Sequence, residues 1–278
     1  MTVATNWTPV GPDLESIFAK YDDPLGALSR AEIPAIILRQ AYDPSHCQAL
    51  VTRFIDRGLI RDPAVEAGED APKRIDIGTS LGTKGNDKED FLQHSQETHA
   101  LFAQLFEGYE DPVKTLYDCL SRLAVGKEVM VAREPDGRQY GPAIFRTHYI
   151  QHAYSPHIDH VTLREKRFNY EVTRFEDQFA GVLCVQNSTH EGRSGQSVLH
   201  RCLWTEEVQP HIAAGTFYEY AAANGVEKYQ VDLEQGDLYF FNTRCIHEVP
   251  ALEGNDPRIV LAVFIGYSAD DGQIYVWS

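Results

Sequence analysis

From about residue 128 onward the chain is a series of short β-branched and aromatic runs: EVMVA, AIFRTHYIQ, FAGVLCVQN, QSVLHRCLW, KYQVDL, DLYFFN, RIVLAVFIGY and QIYVW. Turn residues separate each from the next. Strands this short at this spacing close into a sandwich or a barrel. What precedes them has a different texture. Residues 43–57, DPSHCQALVTRFIDR, set Cys47, Leu50, Val51, Phe54 and Ile55 on one helix face behind an N-cap at Asp43. Leu101, Phe102, Leu105 and Phe106 share a second face, and Val113, Leu116, Tyr117, Leu120 and Leu123 a third. The first 125 residues therefore read as mainly helical. They show no strand pattern of their own, and their apolar faces need a partner, so helices packed on one face of a sheet are expected rather than a separate domain. The expectation is an α+β chain forming one domain over residues 1–278, with 1–125 as helical support and 126–278 as the β core. Residues 61–90 are polar, Gly-rich and without period, which predicts a long loop and a candidate covering for a site.

A chain of 278 residues can bury a sizeable core without staples. Its formal net charge of −16 argues against nucleic acid and anionic membrane surfaces as partners, since both need clustered Lys and Arg. The same balance favours a neutral or cationic small molecule over a nucleotide or an acyl carrier protein. The start, MTVATNWTPVGPDLES, has no basic segment followed by an apolar one, and no run approaches the length of a membrane span, so the expected location is the cytoplasm. The five cysteines are scattered and include no CxxC pair, which suggests small buried hydrophobes in a reducing compartment.

The chemistry concentrates in HAYSPHIDH, residues 152–160. In an extended segment His157 and Asp159 point the same way, so an imidazole and a carboxylate can meet at one point. His247, the last residue of EQGDLYFFNTRCIH, is the leading third ligand. Two histidines and one carboxylate on one face of an octahedron leave three positions open, the arrangement of non-haem Fe(II) oxygenases. Arg258 opens the run RIVLAVFIGY; a guanidinium at the start of a buried strand is costly unless it meets an anion, which makes it a candidate clamp for a dicarboxylate. His148, His152 and His160 read as structural or substrate-facing.

The set His157-x-Asp159, His247 and Arg258 resembles the Fe(II)/2-oxoglutarate-dependent oxygenases over roughly residues 128–270. GRQYGPAIFR before the first ligand and GQSVLHRCLW in the middle look like the branch that holds the hapalindole-type alkaloid carbon halogenases. The resemblance implies a double-stranded β-helix of jelly-roll, cupin-like type. It implies Fe(II) on His157, Asp159 and His247, with 2-oxoglutarate and O2 as co-substrates. The distal carboxylate of 2-oxoglutarate would lie on Arg258, with Tyr149 as a further hydrogen-bond donor. Halogenating members carry glycine or alanine where this chain has Asp159, and the missing carboxylate leaves room for halide. With Asp159 present, the resemblance implies hydroxylation of an unactivated C–H bond of a small molecule, an amino acid or specialised metabolite, with release of succinate and CO2. Two other classes compete: a cupin-like metalloenzyme that does not use 2-oxoglutarate, in which Arg258 would have no purpose, and a non-enzymatic jelly-roll binding module with incidental histidines.

Overall fold

The computed structural model describes residues 7–65, 71–190, 193–194, 196–252 and 256–278. The helices are α1 (Leu14–Phe18), α2 (Pro24–Ser29), α3 (Pro44–Asp56), α4 (Leu81–Lys84), α5 (Lys88–Leu105), α6 (Pro112–Leu123), α7 (Gln209–Ala214) and α8 (Phe217–Ala223). The early strands are β1 (Ile36–Leu38), β2 (Arg74–Ile77), β3 (Glu128–Val131), β4 (Ile144–His148) and β5 (Tyr154–His157). They are followed by β6 (Asp177–Gln186), the short hairpin β7 (Thr189–His190) and β8 (Arg193–Ser194), and β9 (Val198–Leu203). The last are β10 (Lys228–Gln230), β11 (Leu238–Asn242), β12 (Cys245–Val249), β13 (Arg258–Tyr267) and β14 (Gln273–Trp277).

The ten-residue run of β13 organises the larger sheet. One edge pairs antiparallel with β6; the other is shared, with β4 along residues 258–262 and β14 along 264–266. β6 continues to β11 and β1, β4 to β2, and β14 pairs in parallel with β3, which makes eight strands. The smaller sheet has the order β10-β9-β12-β5.

Alternation divides β13 between two environments. Ile259, Leu261, Val263 and Ile265 join Phe145, Phe179 and Phe240 on the outer face, against Leu50 and Phe54 of α3, Phe102 and Leu105 of α5, and Leu116 and Leu120 of α6. Asp43 caps α3 and Asp111 caps α6, each accepting from backbone N–H groups of the first turn. Val260 faces inward with Val182, Tyr239 and Phe241, toward Leu199 of the smaller sheet. Both faces are thus covered, which is why the run reads as almost continuously apolar.

Two expectations need correction. The first 125 residues do contribute strands, β1 and β2, and these extend the larger sheet at opposite ends. The stretch 61–90 is not a continuous loop: it contains β2, α4 and the start of α5, and its residues 66–70 lie outside the described residues. A four-residue strand and a four-residue helix are too short to show a period. Among the described residues no helix is long and apolar enough to cross a membrane.

Candidate metal centre

β5 and β12 are neighbours in the smaller sheet, and their register sets His157 directly opposite His247. Opposed residues of an antiparallel pair project from the same face, so the two imidazoles lie side by side, ring centroids 4.3 Å apart. Each ring is oriented by its own strand. His157 Nδ1 meets the carbonyl of Ser155 at 2.7 Å, and His247 Nδ1 meets that of Cys245 at 2.9 Å. A carbonyl only accepts, so both Nδ1 atoms carry the proton and both Nε2 atoms present a lone pair.

Asp159 lies just beyond β5. Its N–H donates to the carbonyl of Thr243 (3.0 Å) and its own carbonyl accepts from Thr243 Oγ1 (2.7 Å). Its Oδ2 is 3.4 Å from His247 Nε2 and 3.8 Å from His157 Nε2, while Oδ1 accepts from Arg164. The ligand atoms of the three residues all lie within 4.8 Å of one another. Three lone-pair donors converge here with no proton among them, an arrangement that repels itself until a cation sits at its centre. Burial, then the neighbouring His247, push the His157 imidazole down to about 4. Burial opposes ionisation of Asp159, but the positively charged Arg164 guanidinium on its Oδ1 keeps its carboxyl below the usual range. At neutral pH His157 and Asp159 therefore need no proton loss to bind a metal, and two imidazoles with one carboxylate fit Fe(II).

The trio opens into a cavity of about 460 Å³ between the two sheets. Arg258, only 4% exposed, lines it; its Nη1 donates to His148 Nδ1 at 3.2 Å, and its Nε has no partner. Burial first, then the Arg258 charge, keep His148 neutral and able to accept. Among the described residues no carboxylate pairs with Arg258.

Tyr149 is elsewhere. Its hydroxyl accepts from Arg61 N (2.8 Å), the Arg61 guanidinium covers its ring at 4.0 Å, and it does not line the cavity. The reason is strand parity: Arg146 and His148 of β4 face the cavity, so Phe145, Thr147 and Tyr149 face away. The apolar residue at Phe145 was the signal for this. His152 stacks on His148 with ring centroids 4.6 Å apart, and His160 Nδ1 faces Thr162 Oγ1 at 3.1 Å and the amides of Thr162 and Leu163 at 3.3 Å. Sequence reasoning missed Arg74, Arg146 and Tyr154, which all line the cavity. Arg146 could have been found from its spacing to His148; nothing in the sequence marks Arg74 or Tyr154.

The paired sheets and the His-Asp-His cluster fit a non-haem iron, 2-oxoglutarate-dependent oxygenase, and a family match shows one near the halogenating branch. The profile of one family covers nearly all of the chain, residues 12–278, and is described as the carrier-protein-independent halogenase WelO5. The chain belongs to that family. Among solved structures, an N-substituted L-amino acid dioxygenase from Burkholderia ambifaria AMMD shares the fold. Its TM-score is 0.58 at 16% identity, with 91% of this chain and 90% of that one covered. A structure of that dioxygenase in complex with alpha-KG gives 0.56 at 15% identity, covering 95% and 92%. No curated protein matches the chain.

Proposed function

We propose that the protein hydroxylates an unactivated C–H bond of a small molecule, with Fe(II) held by His157, Asp159 and His247. The observation that carries this reading is the Asp159 carboxylate, whose Oδ2 faces both Nε2 atoms. Iron and 2-oxoglutarate supply the oxidising power when bound, consuming O2 and releasing succinate and CO2 as the C–H bond is oxidised. The chain's own groups bind and orient. His157 and His247 offer Nε2 because Ser155 and Cys245 hold their other nitrogens. Asp159 offers Oδ2 because Arg164 holds Oδ1. Arg258, oriented by His148, receives the distal carboxylate of the co-substrate. Val182, Ala262 and Phe264 give the cavity apolar walls that exclude water from the reacting bond. Tyr149 has no part in this. The larger and smaller sheets are read as the halves of a jelly roll, within one domain over residues 1–278 that residues 1–125 support.

Family membership favours a second reading, halogenation. Asp159 would occupy the place beside the two histidines that a halide needs, so its presence argues against halogenation. The test is turnover with and without chloride. Succinate matched by hydroxylated product under both conditions is expected; chlorinated product from the unmodified protein would sink the hydroxylase reading. Anaerobic Fe(II) with 2-oxoglutarate should first give the weak visible band of the chelated co-substrate, lost in His157→Ala and His247→Ala.

A further inference from the structure

Five arginines line the cavity, and three are neutralised. Arg74 grips Asp76 at 2.5 and 2.7 Å and donates to the Tyr154 hydroxyl at 2.7 Å. Arg164 is paired with Asp159, and Arg167 with Glu165. Arg146 and Arg258 have no carboxylate partner among the described residues, and the Nε of each is buried without an acceptor. The co-substrate has one distal carboxylate, its other end being committed to the metal. One guanidinium is left over.

Arg146 is on β4, opposite Val260 of β13; Arg258 is opposite His148 in the same register. The two guanidinium-bearing positions therefore share the inner face of the sheet, on adjacent strands. A half-buried guanidinium without a counter-anion is unfavourable, and its planar fork suits a carboxylate. The wall beside it is apolar: Ile144, Ala262 and Phe264 line the same cavity, and the Arg146 Cζ is 5.9 Å from the Phe264 ring centroid. We propose that Arg146 is the substrate clamp, taking the carboxylate of an anionic small molecule whose apolar body lies against Ile144, Ala262 and Phe264. This rests on the oxygenase reading above, which assigns Arg258 to the co-substrate. It reverses the expectation of a neutral or cationic substrate drawn from the net charge of −16, because the charge of the surface is not the charge of the cavity.

The test uses matched acids and primary amides: N-acetyl-L-leucine, 4-methylpentanoate and 3-phenylpropanoate, each against its amide. Each is titrated calorimetrically into the anaerobic full-length protein loaded with Fe(II) and 2-oxoglutarate. At least one acid should bind about 10- to 100-fold tighter than its amide, as a charge-assisted pair in a partly dry site implies. Arg146→Gln should abolish that preference and leave 2-oxoglutarate affinity, read from the visible band, unchanged; Arg146→Lys should restore part of it. No acid preference in any pair, or a loss of 2-oxoglutarate affinity in Arg146→Gln, overturns the assignment. Absence of the visible band in the unmodified protein sinks the oxygenase reading itself, whereas a band without acid preference sinks only the clamp.

Discussion

Arg164 touches the site at two points: one Nη1 donates both to Asp159 Oδ1 and to the carbonyl of Ile158, the latter at 2.8 Å. The carboxylate is thereby turned so that one oxygen faces solvent-side cation and the other faces the imidazoles. Partners that orient a ligand in this way are worth about 10- to 100-fold in metal affinity. Arg164→Met should therefore weaken Fe(II) binding by that order, measured by competition with a chelator, while the unfolding midpoint of the metal-free protein barely moves because the Arg164 side chain is 46% exposed. An unchanged affinity would mean that Asp159 is oriented by Thr243 alone. Of the cavity residues, His157, Asp159, His247 and Arg258 were legible because their residue types are costly to bury without a purpose. Tyr149 was misread because its parity was not counted from Phe145. Arg74 and Tyr154 were hidden, since their positions depend on which strands become neighbours.

Among the elements, β4 connects support and site. Its outward Phe145 is fully buried, with ring centroids 4.8 Å from Phe54 of α3 and 5.6 Å from Phe102 of α5; its inward Arg146 and His148 face the cavity. Phe145→Ala should cost about 3–5 kcal/mol of stability, the range for an aromatic removed from a packed core, seen as a lower urea midpoint. Metal affinity of the folded fraction should stay within about twofold, a ratio of well under 1 kcal/mol, because the ligands sit in the other sheet. A matching fall in affinity would show that the helical layer shapes the metal centre directly. The long apolar strands β6, β11 and β13 and the capped helices α3 and α6 could be read in advance, since each carries its own pattern. The strands bearing the histidines could not: β5 is YSPH, with a proline, and β12 is CIHEV, too short to show an alternation. Both exist because pairing across the smaller sheet overrides weak local preference. α7 and α8 were missed for a similar reason, being six and seven residues long.

For the molecule as a whole, acid is the stress that matters. His148, His152, His157 and His160 are all held below the ordinary value of 6.5, each chiefly by burial. A histidine kept neutral in the folded chain takes up its proton on unfolding. Its contribution is complete above pH 6.5 and is lost as the pH falls below that value, at no more than about 1.4 kcal/mol per pH unit for each residue. The metal-free protein should lose stability steeply between pH 6.5 and 5.5 in urea titrations. His148→Gln should flatten that slope by up to the same amount per unit, and an unaltered slope would show that His148 is already protonated in the fold.

The carbonyls of Ser155 and Cys245 bear on how such a centre changes over generations. Each imidazole is aimed by a main-chain oxygen two residues back on its own strand, and main-chain oxygens are untouched by substitution. The trio is thus insulated from drift in the side chains around it, and Asp159 is the one of the three whose exchange leaves the other two aimed as they are. Aspartate and glycine codons differ by a single nucleotide, so a lineage with this architecture stands one mutational step from a vacated coordination position, with both histidines still in place.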